Sequence, residues 1–245
     1  MPKDHFSRQS EAYARYRPGY PETLYRHLLQ LVPGAGAAWD CATGNGQVAR
    51  VLSQHFSNVY ATDISAAQLQ HAAQHANVHY RVGSAEESGL PDASVDLITV
   101  ATALHWFDHP AFFAEAKRVL KPNGILACWC YYLVEIEPAV DALLLEFYRD
   151  ITGPYWDPER RYVDERYASI DFPFEDLEAP ELHIELQWTN ANMEGFLNTW
   201  SSVQHMIRAT GSSPVPEMLE RVRAVWPDGE VKNVRFPLSM RAGRI

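Results

Sequence analysis

The chain has 245 residues, 47% of them apolar and 21% charged, with a formal net charge of −10. That length allows one domain with an elaboration, and the composition is that of an ordinary soluble protein. The acidic surplus repels phosphate backbones and disfavours nucleic-acid binding. No early basic-then-apolar stretch reads as a signal peptide, and the longest apolar run, Ile125 to Val134, is too short to span a bilayer.

Residues Met1 to Gly19 are polar with interspersed aromatics, and Tyr16-Arg17-Pro18 stops any helix there. Pro21 opens a helix carried by Leu24, Leu28, Leu29 and Leu31, which ends at Pro33-Gly34. Ala37 to Cys41 reads as the first strand, Gln47 to Phe56 as a helix, and Val59 to Thr62 as the second strand. Ser65 caps a helix over Ala66 to Ala76 with Leu69, Ala72, Ala73 and Ala76 inward. His71 and His75 stand one turn apart on that helix, which is metal-ligand spacing. They lie off the inner stripe without a third ligand, so they read as a solvated face and no metal is expected.

Val78 to Val82 is the third strand, and Ser84 to Ser94 is a loop. Val95 to Ala101, nearly all apolar, suits a strand buried on both faces. A helix stripe of Phe112, Phe113, Ala116, Val119 and Leu120 precedes a turn at Pro122-Asn123-Gly124 and a fifth strand over Ile125 to Leu133. Val134 to Pro180 breaks the alternation as a helical, aromatic insertion with 13 acids and 4 arginines, a balance of −9. Leu182 to Trp188 alternates as a strand, Met193 to Ile207 and Val215 to Val225 read as helices, and Val231 to Arg241 is extended. Strands alternating with helices imply an α/β doubly wound, Rossmann-like parallel sheet. Cys128 and Cys130 share one face of their strand, and with Cys41 they read as reduced packing residues of a cytoplasmic protein.

The stretch Asp40-Cys41-Ala42-Thr43-Gly44-Asn45-Gly46-Gln47 is the most informative in the chain. A strand runs into a tight glycine turn, a helix leaves it, and a second strand ends in Asp63, 17 residues after Gly46. Glycines let backbone approach a ligand, and the later acid can accept both hydroxyls of a ribose. Gly44-x-Gly46-x-x-Ala49 also satisfies the dinucleotide fingerprint, so NAD competes with S-adenosylmethionine for the pocket. Asp40 favours the second: a carboxylate facing the site repels a pyrophosphate and attracts an ammonium and a sulfonium.

Several segments together resemble the class I S-adenosylmethionine-dependent methyltransferases, and most closely the small-molecule branch of trans-aconitate methyltransferase-like proteins. They are Asp40-x-Ala42-x-Gly44-x-Gly46, Asp63, Gly83-Ser84-Ala85-Glu86, Leu90-Pro91, Val95-Asp96, Ala103 to Asp108, Arg118 to Gly124, and Phe6 with Tyr13 to Pro18. The resemblance implies a seven-stranded sheet with the last strand antiparallel and inserted between strands five and six. It also implies one domain: an N-terminal lid (1–20), a cofactor core (21–133), a helical cap over the cofactor cleft (134–180) and a completion of the sheet (181–245). Cofactor contacts are expected at Asp40, Ala42, Gly44, Gly46, Gln47, Asp63, Ile64, Ser84, Ala85, Glu86, Ala101, Tyr13 and Arg17. The chain departs from the family at Ala42, tolerable where φ stays negative, and at Ser84, whose hydroxyl can replace an acid beside the adenine amine.

The expected reaction is methyl transfer to a small organic molecule, such as a carboxylate. His105 follows strand four, where clefts in such sheets open, and reads as a base, a substrate contact or a packing residue. Trp106 reads as a cleft wall, with Trp200, Ser201 and Arg208 on a helix lining the pocket. The competing readings are a non-catalytic S-adenosylmethionine-binding protein and an NAD-dependent oxidoreductase, for which a Tyr-x-x-x-Lys pair is missing. A monomer or homodimer without a nucleic-acid or membrane partner is expected.

Overall fold

The computed structural model describes residues 16–245. The strands are β1 (Ala37–Cys41), β2 (Asn58–Asp63), β3 (Val78–Val82), β4 (Val95–Ala101), β5 (Leu120–Tyr131), β6 (Glu175–Leu177), β7 (Leu182–Trp188) and β8 (Lys232–Arg244). They form an eight-stranded sheet in the order β3-β2-β1-β4-β5-β8-β6, with β7 also paired to β8. Strands β1 to β5 are mutually parallel where they pair, whereas β8 is antiparallel to β5, β6 and β7. The expected seven-strand order is therefore present. The addition is β6, a three-residue strand from the insertion that shares the far edge of β8 with β7.

The helices are α1 (Glu22–Leu31), α2 (Gln47–Leu52), α3 (Ala66–Leu69), α4 (His109–Val119), α5 (Pro138–Glu146), α6 (Arg161–Asp164), α7 (Asn190–Asn198), α8 (Ser201–Thr210) and α9 (Val215–Arg223). They separate the core into two layers. One holds Leu24, Leu28, Val48, Leu52 and Trp129, together with the aromatic rings of the C-terminal third. The other holds Trp39, Ile98, Phe112, Phe113, Cys128 and Cys130. Alternation along β5 explains why Trp129 lies in one layer and its two cysteine neighbours in the other. All three cysteines are buried and unbridged.

Two expected helices are shorter or divided. The helix after β2 stops at Leu69 rather than Ala76. Of its supposed inner stripe only Ala72 is buried. Small alanine side chains cover too little core to hold further turns against chain entropy. The run Met193 to Ile207 is two helices, α7 and α8, broken at Thr199-Trp200. Thr199 Oγ1 donates to the carbonyl of Phe196 at 2.6 Å, a local bond that competes with helix propagation.

The sheet order reverses between β1 and β4, and ligand crevices open at the carboxyl ends of such strands. Leaving β1, the chain turns at once: Thr43 N–H donates to Thr62 O at 2.9 Å and Gly46 N–H to Thr43 O at 3.0 Å. This requires left-handed backbone at Ala42 (φ +55), Gly44 (φ +57) and Gly46 (φ +80). The condition of a negative φ at Ala42 is thus not met. Its methyl group sits where glycine is unstrained, because the turn must deliver the Gly44 amide to β2. Ala42→Gly should accordingly raise stability by about 1 kcal/mol, read as a higher urea midpoint at unchanged m.

Candidate active site

Two neighbouring regions form at the carboxyl edge of the sheet. The first is the glycine turn with Asp63. Gly44 N–H donates to Asp63 Oδ2 and Ser65 N–H to Asp63 Oδ1, both at 2.8 Å. These two bonds orient the Asp63 carboxylate at the turn. A Cβ built on Gly44 would meet nothing within 4 Å, so the turn is open on that side. On the other side of the turn, a Cβ on Gly46 would meet Tyr80 Oη at 2.5 Å, which is why only glycine fits there.

Asp40 does not face this opening. It is 1% exposed. Its Oδ2 accepts from Thr43 Oγ1 at 2.5 Å and Ala49 N–H at 3.0 Å, and its Oδ1 accepts from Thr99 Oγ1 at 2.8 Å. The expectation that Asp40 contacts the ligand directly is corrected, because register places it beside Thr99 in the sheet interior, beneath the turn. Burial pushes its carboxyl up to about 6, partly opposed by bonds from Thr43, Thr99 and Ala49.

The remaining expected contacts lie on the loops of the same edge. Gln47 opens α2 and is half-buried, as is Ala101 at the end of β4, and Ile64 is 40% exposed. Ser84 Oγ accepts Glu87 N–H at 3.1 Å, Ala85 is buried, and Glu86 Oε1 accepts Asp108 N–H at 3.1 Å, joining the loops after β3 and β4. Tyr13 lies outside the described residues.

This set fits an adenosine with a cationic sulfur better than a dinucleotide. The amides of Gly44, Gly46 and Ala49 are already consumed by Asp63, Thr43 and Asp40. A pyrophosphate would need those donors free.

The second region is a cavity of about 40 Å³ lined by Arg17, Thr102, His105, Trp106, Trp156, Asp157, Arg160 and Ser201. Four expected residues meet here: Arg17, His105, Trp106 and Ser201. Arg17 is held by Thr199 Oγ1 at 3.0 Å, Thr199 O at 3.3 Å and Tyr131 Oη at 2.8 Å, so the break between α7 and α8 supplies its seat. His105 is buried in a short 3₁₀ turn after β4, with Nδ1 3.2 Å from Tyr167 Oη and its ring against Trp106 at 4.8 Å. Burial, aided by the charges of Arg160, His109 and Arg17, drives its pKa well below the ordinary imidazole value, so it is neutral at pH 7. Thr102 has φ +53, a strained conformation for a β-branched residue.

Two expected lining residues are elsewhere. Trp200 is buried behind the cavity, its ring 5.5 Å from Trp156 and 5.7 Å from Tyr148. Arg208 is exposed near the end of α8: it shares a face with Ser201 but lies about 10 Å further along the helix axis, beyond the cavity.

The insertion contributes what sequence reasoning missed. Its chain makes a π-helical turn over Phe147–Ile151, closed by Thr152 N–H to Phe147 O at 2.9 Å. Tyr148 from that turn binds Asp164 and accepts Arg160 Nε at 2.8 Å. The Arg160 guanidinium lies 4.7 Å above the Trp156 ring and 5.3 Å from that of Tyr148. Its terminal nitrogens make no hydrogen bond to a described residue. The signal was the run Trp156-Asp157-Pro158-Glu159-Arg160, which sets an aromatic beside both charges; the acidity of the segment had suggested only a solvated face.

Asp40 generates a pH prediction. Its folded pKa of about 6 stands above its ordinary 3.8, so the native state holds the extra proton between these values. Stability falls as pH rises through that window and is flat above it. Relative to Asp40→Asn, which cannot ionise, the wild type should lose stability between pH 4 and 6 at no more than about 1.4 kcal/mol per pH unit, measured by urea unfolding across the range.

Known proteins agree with this architecture. A family model described as a methyltransferase domain matches residues 39–128. A Dictyostelium discoideum protein provisionally named a methyltransferase is 34% identical over 97% of this chain and 93% of its own length. The solved structure of a protein from Anaeromyxobacter dehalogenans, provisionally named a type II methyltransferase, is 40% identical with a TM-score of 0.86, covering 94% of this chain and 98% of that one. The YcgJ protein of Bacillus subtilis, 18% identical with a TM-score of 0.52 over 91% of this chain and 97% of its own, shares the fold. Among the described residues no helix is long and apolar enough to cross a membrane. The chain belongs to the class I S-adenosylmethionine-dependent methyltransferases, and it is an enzyme of that activity.

Proposed function

We propose that the acceptor is a small organic acid, methylated on a carboxylate oxygen. The observation that carries this reading is the convergence of two guanidinium groups, Arg17 and Arg160, with the neutral His105 on one cavity at the carboxyl end of β4. A planar guanidinium matches a carboxylate in shape and charge, and the terminal nitrogens of Arg160 have capacity for it. In this reading the chain works as one domain, with Val134 to Pro180 as a cap and the segment from Pro21 to Leu133 as the cofactor core; the lid expected over 1–20 lies mostly outside the described residues.

Bound at the glycine turn, S-adenosylmethionine supplies an electrophilic methyl group on a cationic sulfur. In this proposal Asp63 accepts the ribose hydroxyls. Gly44 and Gly46 admit the ligand to the backbone, Ile64 with Ala85 borders the adenine, and Asp40 acts from beneath by holding the turn. Arg17 and Arg160 orient the acceptor. Trp106 and Trp156 wall the cavity and keep water out, so that a bound acceptor loses little time in unproductive poses. A carboxylate arrives without a proton to lose and needs no base. His105 is then a hydrogen-bonding contact, whereas a hydroxyl acceptor would require it to take a proton.

The charge argument also fixes where the arginines act. An anionic nucleophile loses charge on approaching a sulfonium, so a guanidinium holds the bound acid more tightly than its transition state. Arg160→Met should therefore raise the KM for an acid by about tenfold or more with a smaller change in kcat, measured as S-adenosylhomocysteine release. Asp63→Ala should weaken S-adenosylmethionine binding by about tenfold to a hundredfold in calorimetry, the loss of charged hydrogen bonds; unchanged affinity would remove the ribose assignment. The decisive experiment is a panel of small carboxylic acids, phenols and amines. Turnover of acids that survives His105→Gln supports the reading, and turnover confined to phenols or amines overturns it.

A further inference from the structure

Asp157 is the charge in the cavity that acid binding leaves unexplained. It directly precedes the short turn Pro158–Arg160 of the insertion. Its side chain retains 9% of its exposure. The Oδ2 atom is sealed from solvent and has no hydrogen-bond partner among the described residues. His205 Nδ1 stands 3.7 Å away, but it donates to the carbonyl of Tyr155 at 2.9 Å. No ion pair joins Asp157 to Arg17 or Arg160, although all three line one cavity of about 40 Å³. A buried carboxylate oxygen without a donor forfeits its hydration, and native structures keep such a group where something other than folding uses it.

The chemistry of the user follows from the other walls. A simple carboxylate drawn in by the arginines would bring a second anion against Asp157 and be repelled. The same acid carrying a hydroxyl or ammonium group would give the Asp157 carboxylate, at the part that stays exposed, the donor it lacks and would remove that repulsion. We propose that Asp157 accepts a hydrogen bond from such a donor, and that the acceptor is a carboxylic acid with a second, hydrogen-bond-donating group. Its acid end lies at Arg17 and Arg160 and its donor end at Asp157. This assignment rests on the organic-acid reading and deepens it: Asp157 selects among acids by rejecting those without a donor.

The test uses matched acids with S-adenosylmethionine: propanoate, lactate and alanine, then benzoate, 4-hydroxybenzoate and 4-aminobenzoate. The kcat/KM of each is read from S-adenosylhomocysteine release by the wild type, Asp157→Asn and Asp157→Leu. In at least one series the wild type should prefer a donor-bearing acid by on the order of tenfold to a hundredfold, as expected of a site built around a hydrogen bond. That preference should collapse toward unity in Asp157→Leu and persist in part in Asp157→Asn, whose amide oxygen still accepts. Both variants should melt at or above the wild-type temperature, because an unsatisfied carboxylate has gone. Acid turnover without a donor preference, a preference that survives in Asp157→Leu, or lower melting in both variants would overturn the assignment to Asp157 alone. A wild type that methylates none of the acids would remove the acid reading, and this assignment with it.

Discussion

The carboxylate of Asp40 holds the catalytic edge together. One side chain takes hydrogen bonds from the glycine turn through Thr43, from α2 through the Ala49 amide, and from β4 through Thr99. These are the pieces that must meet where the sheet order reverses. A buried acid is costly by itself, and its raised pKa records that cost. The donors offset it, and in doing so they fix the turn rigidly enough to hold Ala42 and Gly44 in left-handed backbone. Asp63 then inherits its position from that turn, through the Gly44 amide.

The neighbouring cavity is built differently. Its walls come from a strained strand end at Thr102, a 3₁₀ turn carrying His105 and Trp106, the inserted segment and the start of α8. Aromatic rings from Tyr148, Trp156, Trp200 and Phe196 form a continuous backing at centroid separations between 5.1 and 5.9 Å. Such packing lets arginines approach the cavity without collapsing onto an acid, since each guanidinium is anchored by a hydroxyl and a ring.

The parts of this architecture with a short sequence period were legible in the chain. Strand alternation, the glycine turn and the distance to Asp63 are local, and they point to a parallel doubly wound sheet with a nucleoside pocket; the strand order and the choice of cofactor rest on the resemblance to the methyltransferases. The direction of the Asp40 side chain was not legible, because the period of a strand gives a face without saying whether that face is open or sealed. The φ of Ala42 is hidden for a related reason: the turn is tied by the Gly44–Asp63 bond to the end of β2, a contact distant in sequence. Arg17, His105, Trp106 and Ser201 were named one by one, yet nothing in their spacing indicated a common cavity. Asp157 and Arg160 were lost in the bulk charge of their segment, since composition cannot distinguish a solvated acid from a sealed one. Arg208 shares the face of Ser201, but the sequence does not show that the pocket ends before the second turn of that helix.

The two halves also differ in how the chain encodes them. The framework of the glycine turn is written between Asp40 and Asp63, whereas the second cavity draws on Arg17, Thr102, Asp157 and Ser201, dispersed over most of the sequence. Grafting the segment from one homologue onto another would thus transplant part of the acceptor wall while leaving the nucleoside cradle intact. Divergence can retune one end of the crevice without renegotiating the other.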